Sequence, residues 1–285
     1  MKTIKRVSTL QKYLKKERQK GRTIGFTPTM GALHEGHLEL IRMGKNENDI
    51  NVVSIFVNPT QFNQKEDLVK YPRKLEEDQK LIRSDCDYLF APAVTQIYPK
   101  GLDTSVDLDV SHLSFSMEGP NRPGHFDGVV QVIYRFLNII EPDRIYMGQK
   151  DFQQFSIVHY MLKEMNIPTK LRVCPTVREA DGLAMSSRNL RLEPQIRKNA
   201  NIIFTALSFA KDQLCTMKCT DIEEKAIKMM QIKDFRPEYF EIVDGFNMKR
   251  VTDPEQHDFI AACTACWAGR VRLIDNMILK GAEHI

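Results

Sequence analysis

Arg22-Thr23-Ile24-Gly25-Phe26-Thr27, followed at once by Pro28-Thr29-Met30-Gly31-Ala32-Leu33-His34-Glu35-Gly36-His37, is the stretch on which the fold turns. The first six residues predict a short strand, broken by Pro28. A turn with two glycines follows, and from His37 to Asn46 the apolar residues Leu38, Leu40 and Ile41 predict an amphipathic helix. A helix that starts just past a strand presents free N–H groups and the positive end of its dipole there, a setting that suits phosphate.

The same rhythm continues outward. Ser8 predicts an N-cap for a lysine-rich helix with Leu10 and Leu14 inside, ending near Gly21. Asn51-Val52-Val53-Ser54-Ile55-Phe56-Val57 is a nearly continuous apolar run stopped by Asn58-Pro59, the pattern of a strand buried on both faces. Pro72 to Ser84 predicts a charged helix and Tyr88-Leu89-Phe90-Ala91 a strand. Val129 to Ile140 has helical spacing and is closed by Pro142; Arg144 to Met147, Phe152 to Met165 and Lys170 to Cys174 then predict strand, helix and strand. This alternation makes an α/β fold, a Rossmann-like doubly wound parallel sheet with helices on both faces, whose ligands bind beyond the carboxyl ends of the strands. After Asn189 the texture changes: residues 194–232 are mostly helical, and Tyr239-Phe240-Glu241-Ile242-Val243 and Val271-Arg272-Leu273-Ile274 predict strands. Two domains are expected, a Rossmann-like one over 1–180 and a smaller α+β one over 181–285 that closes over the site.

The 285 residues carry a net charge of only +4, which points to no nucleic-acid partner and suits an acidic small molecule equally well. No run approaches the roughly 18 apolar residues of a membrane span. Met1-Lys2-Thr3-Ile4-Lys5-Arg6 lacks the apolar core of a signal peptide, so a cytoplasmic location is expected. Cys263-x-x-Cys266 and Cys215-x3-Cys219 have zinc-like spacing but no knuckle glycine or proline, and packing is the preferred reading of all six cysteines; no protein metal centre is expected.

Four segments carry chemistry. His34 and His37 are three apart at a helix start and can face one ligand, beside a Gly31 that permits close backbone approach. Asn58-Pro59-Thr60-Gln61 follows a buried strand, and the Gln61 amide can both donate and accept. In Gly148-Gln149-Lys150-Asp151 the lysine is a compact cation suited to nucleotide phosphates, and Asp151 can orient a ribose or a magnesium-bound water. Met185-Ser186-Ser187-Arg188 offers two hydroxyls and a guanidinium, a clamp for a triphosphate. Arg122-Pro123-Gly124-His125-Phe126 is a rigid turn that reads equally as structural or as a gate or dimer contact.

His34-x-Gly36-His37 resembles the nucleotidyltransferase superfamily. Pro28 to Leu38 is more specifically similar to the pantothenate synthetases, or pantoate–β-alanine ligases. So are Val57-Asn58-Pro59-Thr60-Gln61-Phe62, Tyr71-Pro72-Arg73, Glu118-Gly119-Pro120-Asn121-Arg122-Pro123-Gly124-His125-Phe126, Gly148-Gln149-Lys150-Asp151-Phe152-Gln153-Gln154, Met185-Ser186-Ser187-Arg188-Asn189 and Arg272-Leu273-Ile274-Asp275-Asn276. The resemblance spans almost the whole chain. It implies ATP at Met30 through His37, Gly148 through Asp151, Val177 (backbone to adenine) and Met185 through Arg188. It also implies pantoate and β-alanine at Gln61, with Asn58 and Gln154 as further substrate contacts. His34, His37, Lys150 and Arg188 are the expected catalytic residues, with Mg²⁺ bridging the phosphates. His37 is the implied proton donor, and phosphate stabilisation is an equal reading of it. Pantoate would be capped with AMP and the acyl-adenylate taken by β-alanine, in a homodimer. The chain departs from the family at Gln149, where Glu is more usual. Another nucleotidyltransferase with a phosphorylated substrate, or an RNA-binding module resting on the basic N-terminal helix, are the alternatives.

Overall fold

The computed structural model describes residues 1–62, 65–102 and 104–281. The chain forms two compact units, one of Met1–Val110, Arg122–Gly148 and Ile157–Cys174, the other of Ser111–Asn121, Gln149–Ser156 and the chain from Pro175 onward.

The first unit is built on six strands, β1 (Lys2–Ile4), β2 (Ile24–Thr29), β3 (Ile50–Ile55), β4 (Tyr88–Phe90), β5 (Arg144–Gly148) and β6 (Lys170–Cys174). They pair in the order β1-β4-β3-β2-β5-β6, every pair parallel. The helices are α1 (Val7–Arg18), α2 (Glu35–Glu47), α3 (Lys65–Lys70), α4 (Leu75–Leu81) and α5 (Val94–Ile97); α6 (Ser111–Ser114) and α7 (Glu118–Asn121) belong to the second unit, and α8 (His125–Ile140) returns to the first. Helices on both faces follow from the period of two along the strands. Val53 and Leu89 pack with Ile41 of α2 and with Ile82, while their neighbours Phe26 and Phe90 meet Phe136 of α8 at ring-centroid distances of 5.4 and 6.2 Å. These side chains are all but fully buried, as a parallel sheet covered on both sides requires.

The strand order reverses at β2. From β2 the chain steps to β3 on one side, and β5 later fills the other, which puts a topological switch point between β2 and β5. Their ladder covers only Gly25↔Arg144 and Phe26↔Ile145, so the last residues of the two strands are not paired to each other. This is also why Pro28 does not break β2 as expected. It sits within the strand, in register with Ser54, beyond the end of the β5 ladder, where a missing N–H costs little.

α9 (Phe152–Glu164) runs from the second unit into the first. The second unit continues with α10 (Pro194–Asn199), α11 (Ile202–Gln213), α12 (Cys219–Met230) and the antiparallel sheet β7 (Phe235–Asp244), β8 (Ile260–Ala268) and β9 (Val271–Lys280). Its core joins Ile203 and Leu207 of α11, Ile222 and Met230 of α12, and Ile242, Ala262 and Leu273 of the sheet. Ser111–Asn121 belongs here because the Glu118 carboxylate takes both Nη atoms of Arg272, at 2.9 and 2.7 Å, and the Tyr239 hydroxyl at 2.9 Å.

Some local expectations change. Ser8 lies inside α1; the chain enters from an extended Arg6, and the Gln96 side chain caps the Val7 N–H at 3.0 Å. The helix expected over Pro72 to Ser84 shrinks to α4. β8 has eight of nine residues buried and so shows no alternation. Cys263 and Cys266 lie on it, buried, and among the described residues no three His, Cys, Asp or Glu side chains group as metal ligands. No described helix is long and apolar enough to cross a membrane.

Candidate active site

β2 delivers the chain to Thr29, whose hydroxyl donates to Ser54 O at 2.7 Å and accepts from Gly31 N–H at 3.2 Å. Gly31 and Ala32 then take φ of +81° and +52°. This left-handed pair turns the N–H groups of Ala32 and Leu33 onto the buried carboxylate of Asp78, at 2.9 and 2.8 Å. Those two amides are therefore engaged within the protein. His34 is the N-cap of α2, and its backbone N–H donates to His37 Nδ1 at 3.3 Å. With Nδ1 accepting, the neutral imidazole of His37 carries its proton on Nε2, a ready hydrogen-bond donor. The two rings lie 4.1 Å apart. Gly36 is what permits this: a Cβ there would sit 3.0 Å from His34 Cε1.

β3 leads to Asn58, which caps the 3₁₀ turn Pro59–Gln61. Asn58, expected as a substrate contact, is 1% exposed, with both ends of its amide bonded within the protein. Oδ1 accepts from the Tyr98 hydroxyl at 2.9 Å and from Thr60 Oγ1 at 3.1 Å; Nδ2 donates to Gly128 O at 3.0 Å and Gln61 Oε1 at 3.2 Å. Burial pushes the Tyr98 phenol above its ordinary pKa, so it remains a donor at neutral pH. The work of Asn58 is to orient Gln61, whose Nε2 rests 3.0 Å from Met30 Sδ and whose carbonyl meets His125 Nδ1 at 2.9 Å. The Arg122–Phe126 turn thus has a structural task, delivering His125 to the Gln61 turn.

In the second unit, Lys150, Ser186 and Arg188 line one pocket with Arg272 and Asp275. The Lys150 ammonium is 3.7 Å from the exposed carboxylate of Asp151. Ser186 caps a 3₁₀ turn over Ser187–Arg191 by accepting from Arg188 N–H at 3.2 Å. Met185 N–H donates to Val177 O at 2.9 Å, tying the loop to the segment before it. Gln149 and Lys150 are held by Asn276, which donates to their carbonyls at 2.9 and 2.8 Å. Asp275 beside it takes Arg178 through both oxygens, at 2.6 and 3.1 Å; burial drives its carboxyl up while the guanidinium pulls it down. Gln153 is buried and fixes the loop before α7, donating to Leu113 O at 2.7 Å and accepting from Glu118 N–H at 3.0 Å. Its neighbour Gln154 is half-buried.

The family model described as Pantoate-beta-alanine ligase matches residues 2–278. The chain belongs to the pantoate–β-alanine ligase family. It is 46% identical to a pantothenate synthetase of Azobacteroides pseudotrichonymphae over 97% of this chain and 99% of that one, and 42% identical to one of Bacteroides fragilis over 98% and 99%. A pantothenate synthetase structure from Thermus thermophilus superposes with a TM-score of 0.90 at 36% identity, covering 98% of this chain and all of the other. A pantoate–β-alanine ligase structure from Francisella tularensis, complexed with β,γ-ATP and β-alanine, gives 0.79 at 34% identity, covering 98% of each chain. The Rossmann-like fold with a small antiparallel sheet is thus that of pantothenate synthetases.

Reading pantoate–β-alanine ligase motifs one by one left unassigned the residues that hold them in place. Asp78 sits in an unremarkable charged helix. Gly128 looks like one more helical residue, yet a Cβ there would come within 2.5 Å of Thr60 O, so only glycine lets α8 touch the Gln61 turn. Asp275 and Asn276 follow directly on the strand predicted over Val271 to Ile274, and β9 extends through both.

Proposed function

We propose that this chain condenses pantoate with β-alanine at the expense of ATP. The pantoate carboxylate oxygen attacks the α-phosphorus, a P–O bond to pyrophosphate breaks, and pantoyl adenylate forms. The β-alanine amine then attacks the acyl carbon and AMP leaves with the former carboxylate oxygen. The observation that carries the reading is that Lys150, on the loop after β5, and Ser186 and Arg188, on one 3₁₀ turn, line the same small pocket of the second unit. Family membership supplies the substrates. That the His34–His37 and Lys150 loops serve one nucleotide rests on the resemblance of both motifs to the family.

In this mechanism His37 donates from Nε2 to a phosphate oxygen while its Nδ1 accepts the His34 N–H. His34, Lys150, Ser186, Ser187 and Arg188 neutralise the phosphates as charge shifts toward pyrophosphate. Gln61, with Gln154, orients pantoate and then β-alanine, and the Val177 backbone meets the adenine. Met30, Gly31, Gly148 and Asp151 shape the ATP loops. Holding the reactants in line is worth about 7–11 kcal/mol of the barrier. Mg²⁺ enters as part of the substrate MgATP. The exposed Asp151 carboxylate would orient a water bound to that cation, which would offset phosphate charge. The enzyme is further proposed to act as a cytoplasmic homodimer, which sedimentation of the purified protein tests.

Mixing protein, MgATP and pantoate without β-alanine should yield an enzyme-bound acyl-adenylate detectable by mass spectrometry, converted to pantothenate once β-alanine is added. Pyrophosphate release that ignores pantoate and follows a phosphorylated acceptor instead would overturn the reading.

A further inference from the structure

Asn276 is 1% exposed and sits on β9, a strand held on one side by β8. Its two amide hydrogens go to two consecutive carbonyls, Gln149 O at 2.9 Å and Lys150 O at 2.8 Å. Its Oδ1 accepts from Gln149 Nε2 at 3.3 Å. The residue is itself locked. Its N–H donates to Asp275 Oδ1 at 2.8 Å, and its carbonyl accepts from Arg178 Nη2 at 3.2 Å. Arg178 is the guanidinium that chelates Asp275, and it also donates to Gly182 O at 3.0 Å and lies 4.7 Å over the Phe204 ring.

These bonds form a continuous brace from a β-strand to the backbone of Lys150. A lysine has a long, freely rotating stem, so the reach of its ammonium is set by where its Cα is held. Gln149 and Lys150 lie in a three-residue connection between the end of β5 and the start of α9, too short for internal structure. Only a side-chain amide can serve at position 276: it must offer two donors to carbonyls on one end and an acceptor on the other. Gln149 fixes which end faces which, because its Nε2 donates to Oδ1 and disfavours the flipped amide.

We infer that Asn276, with its amide orientation set by Gln149, is a positioning residue that holds Lys150 for the ATP phosphates. The inference rests on the assignment of Lys150 to the triphosphate. It predicts that losing Asn276 harms adenylation and spares the second half-reaction, in which no triphosphate takes part.

The test is a double-mutant cycle of Asn276→Ala and Lys150→Ala in the full chain. Two rates are measured: pantoate-dependent exchange of labelled pyrophosphate into ATP, and pantothenate formation from supplied pantoyl adenylate and β-alanine. Asn276→Ala should lower exchange about tenfold with a raised KM for ATP, less than the roughly hundredfold that a full ångström of misplacement can cost. It should leave the second rate unchanged and add no further loss in the Lys150→Ala background. Losses that multiply in the double variant, or that fall equally on both half-reactions, overturn the positioning role. Normal exchange in Lys150→Ala instead removes Lys150 from the phosphates, and the inference goes with it. Should Asn276→Ala fail to fold, Gln149→Met releases the same amide from the other side. About a threefold loss of exchange, again absent without Lys150, is then expected, and a loss independent of Lys150 overturns the role.

Discussion

The carboxylate of Asp78 accepts the backbone N–H of Leu33 at 2.8 Å, and with its other oxygen that of Ala32 at 2.9 Å. A helix following β3 thereby shapes the turn following β2, and the turn aims the two histidines. Replacing Asp78 by Ala leaves two N–H groups without their acceptor, at about 1–3 kcal/mol each. Chemical denaturation should show a loss of about 2–6 kcal/mol for the pair, and ATP–pyrophosphate exchange measured below the unfolding transition should fall more steeply than pantothenate formation from supplied adenylate.

Gly36→Ala separates stability from activity. Alanine in place of a helical glycine gains about 1 kcal/mol from propensity alone. The added Cβ, however, meets His34 Cε1 at 3.0 Å and Nδ1 at 3.1 Å, and the imidazole must swing away. The melting temperature should hold or rise while adenylation falls about tenfold. A fully active variant would show that the His34 ring position is immaterial.

Gly128→Ala is the opposite case. Its Cβ would meet backbone, Thr60 O at 2.5 Å and Gln61 N at 2.7 Å, and backbone cannot swing aside. Overpacking of this kind costs about 1–3 kcal/mol. The displaced Gln61 should raise the KM for pantoate more than that for ATP in steady-state assays.

Glu223 governs part of the pH dependence of stability. Burial pushes its carboxyl above the ordinary carboxylate pKa, although it accepts the Ile242 N–H at 2.7 Å and has Arg250 at 3.6 Å. A raised pKa means that the folded state holds the proton where the unfolded chain has lost it. Its contribution to stability therefore declines as pH rises from the normal carboxylate value through the raised one. Glu223→Gln keeps the acceptor and removes the charge. Denaturation followed from pH 4 to 7 should show the variant gaining on the parent as pH rises; a constant difference would assign the effect elsewhere.

Much of this protein was legible from its residues. The parallel α/β half followed from apolar runs at strand and helix spacing, and the loops proposed for ATP were marked by glycines, histidines and cations placed just past the strands. Where that reading went astray, local signals competed with tertiary pairing. Pro28 looked like a strand breaker until the shortness of the β2–β5 ladder made its missing N–H harmless. β8 was overlooked because burial on both faces erases alternation. At Asn58 packing adds what the sequence does not show: both ends of its buried amide are bonded within the protein, one of them to Gln61.

The linear order of side chains determined the fold class and the family, since periodicity and turn chemistry act over a few residues. Three-dimensional packing decided which of those side chains are held and by what. Asp78 reaches Leu33 across 45 positions, and Asn276 reaches Lys150 across 126. Such pairs leave no periodic trace. Hydrogen-bond capacity is a property of each residue, but its use depends on which strands and helices burial brings together.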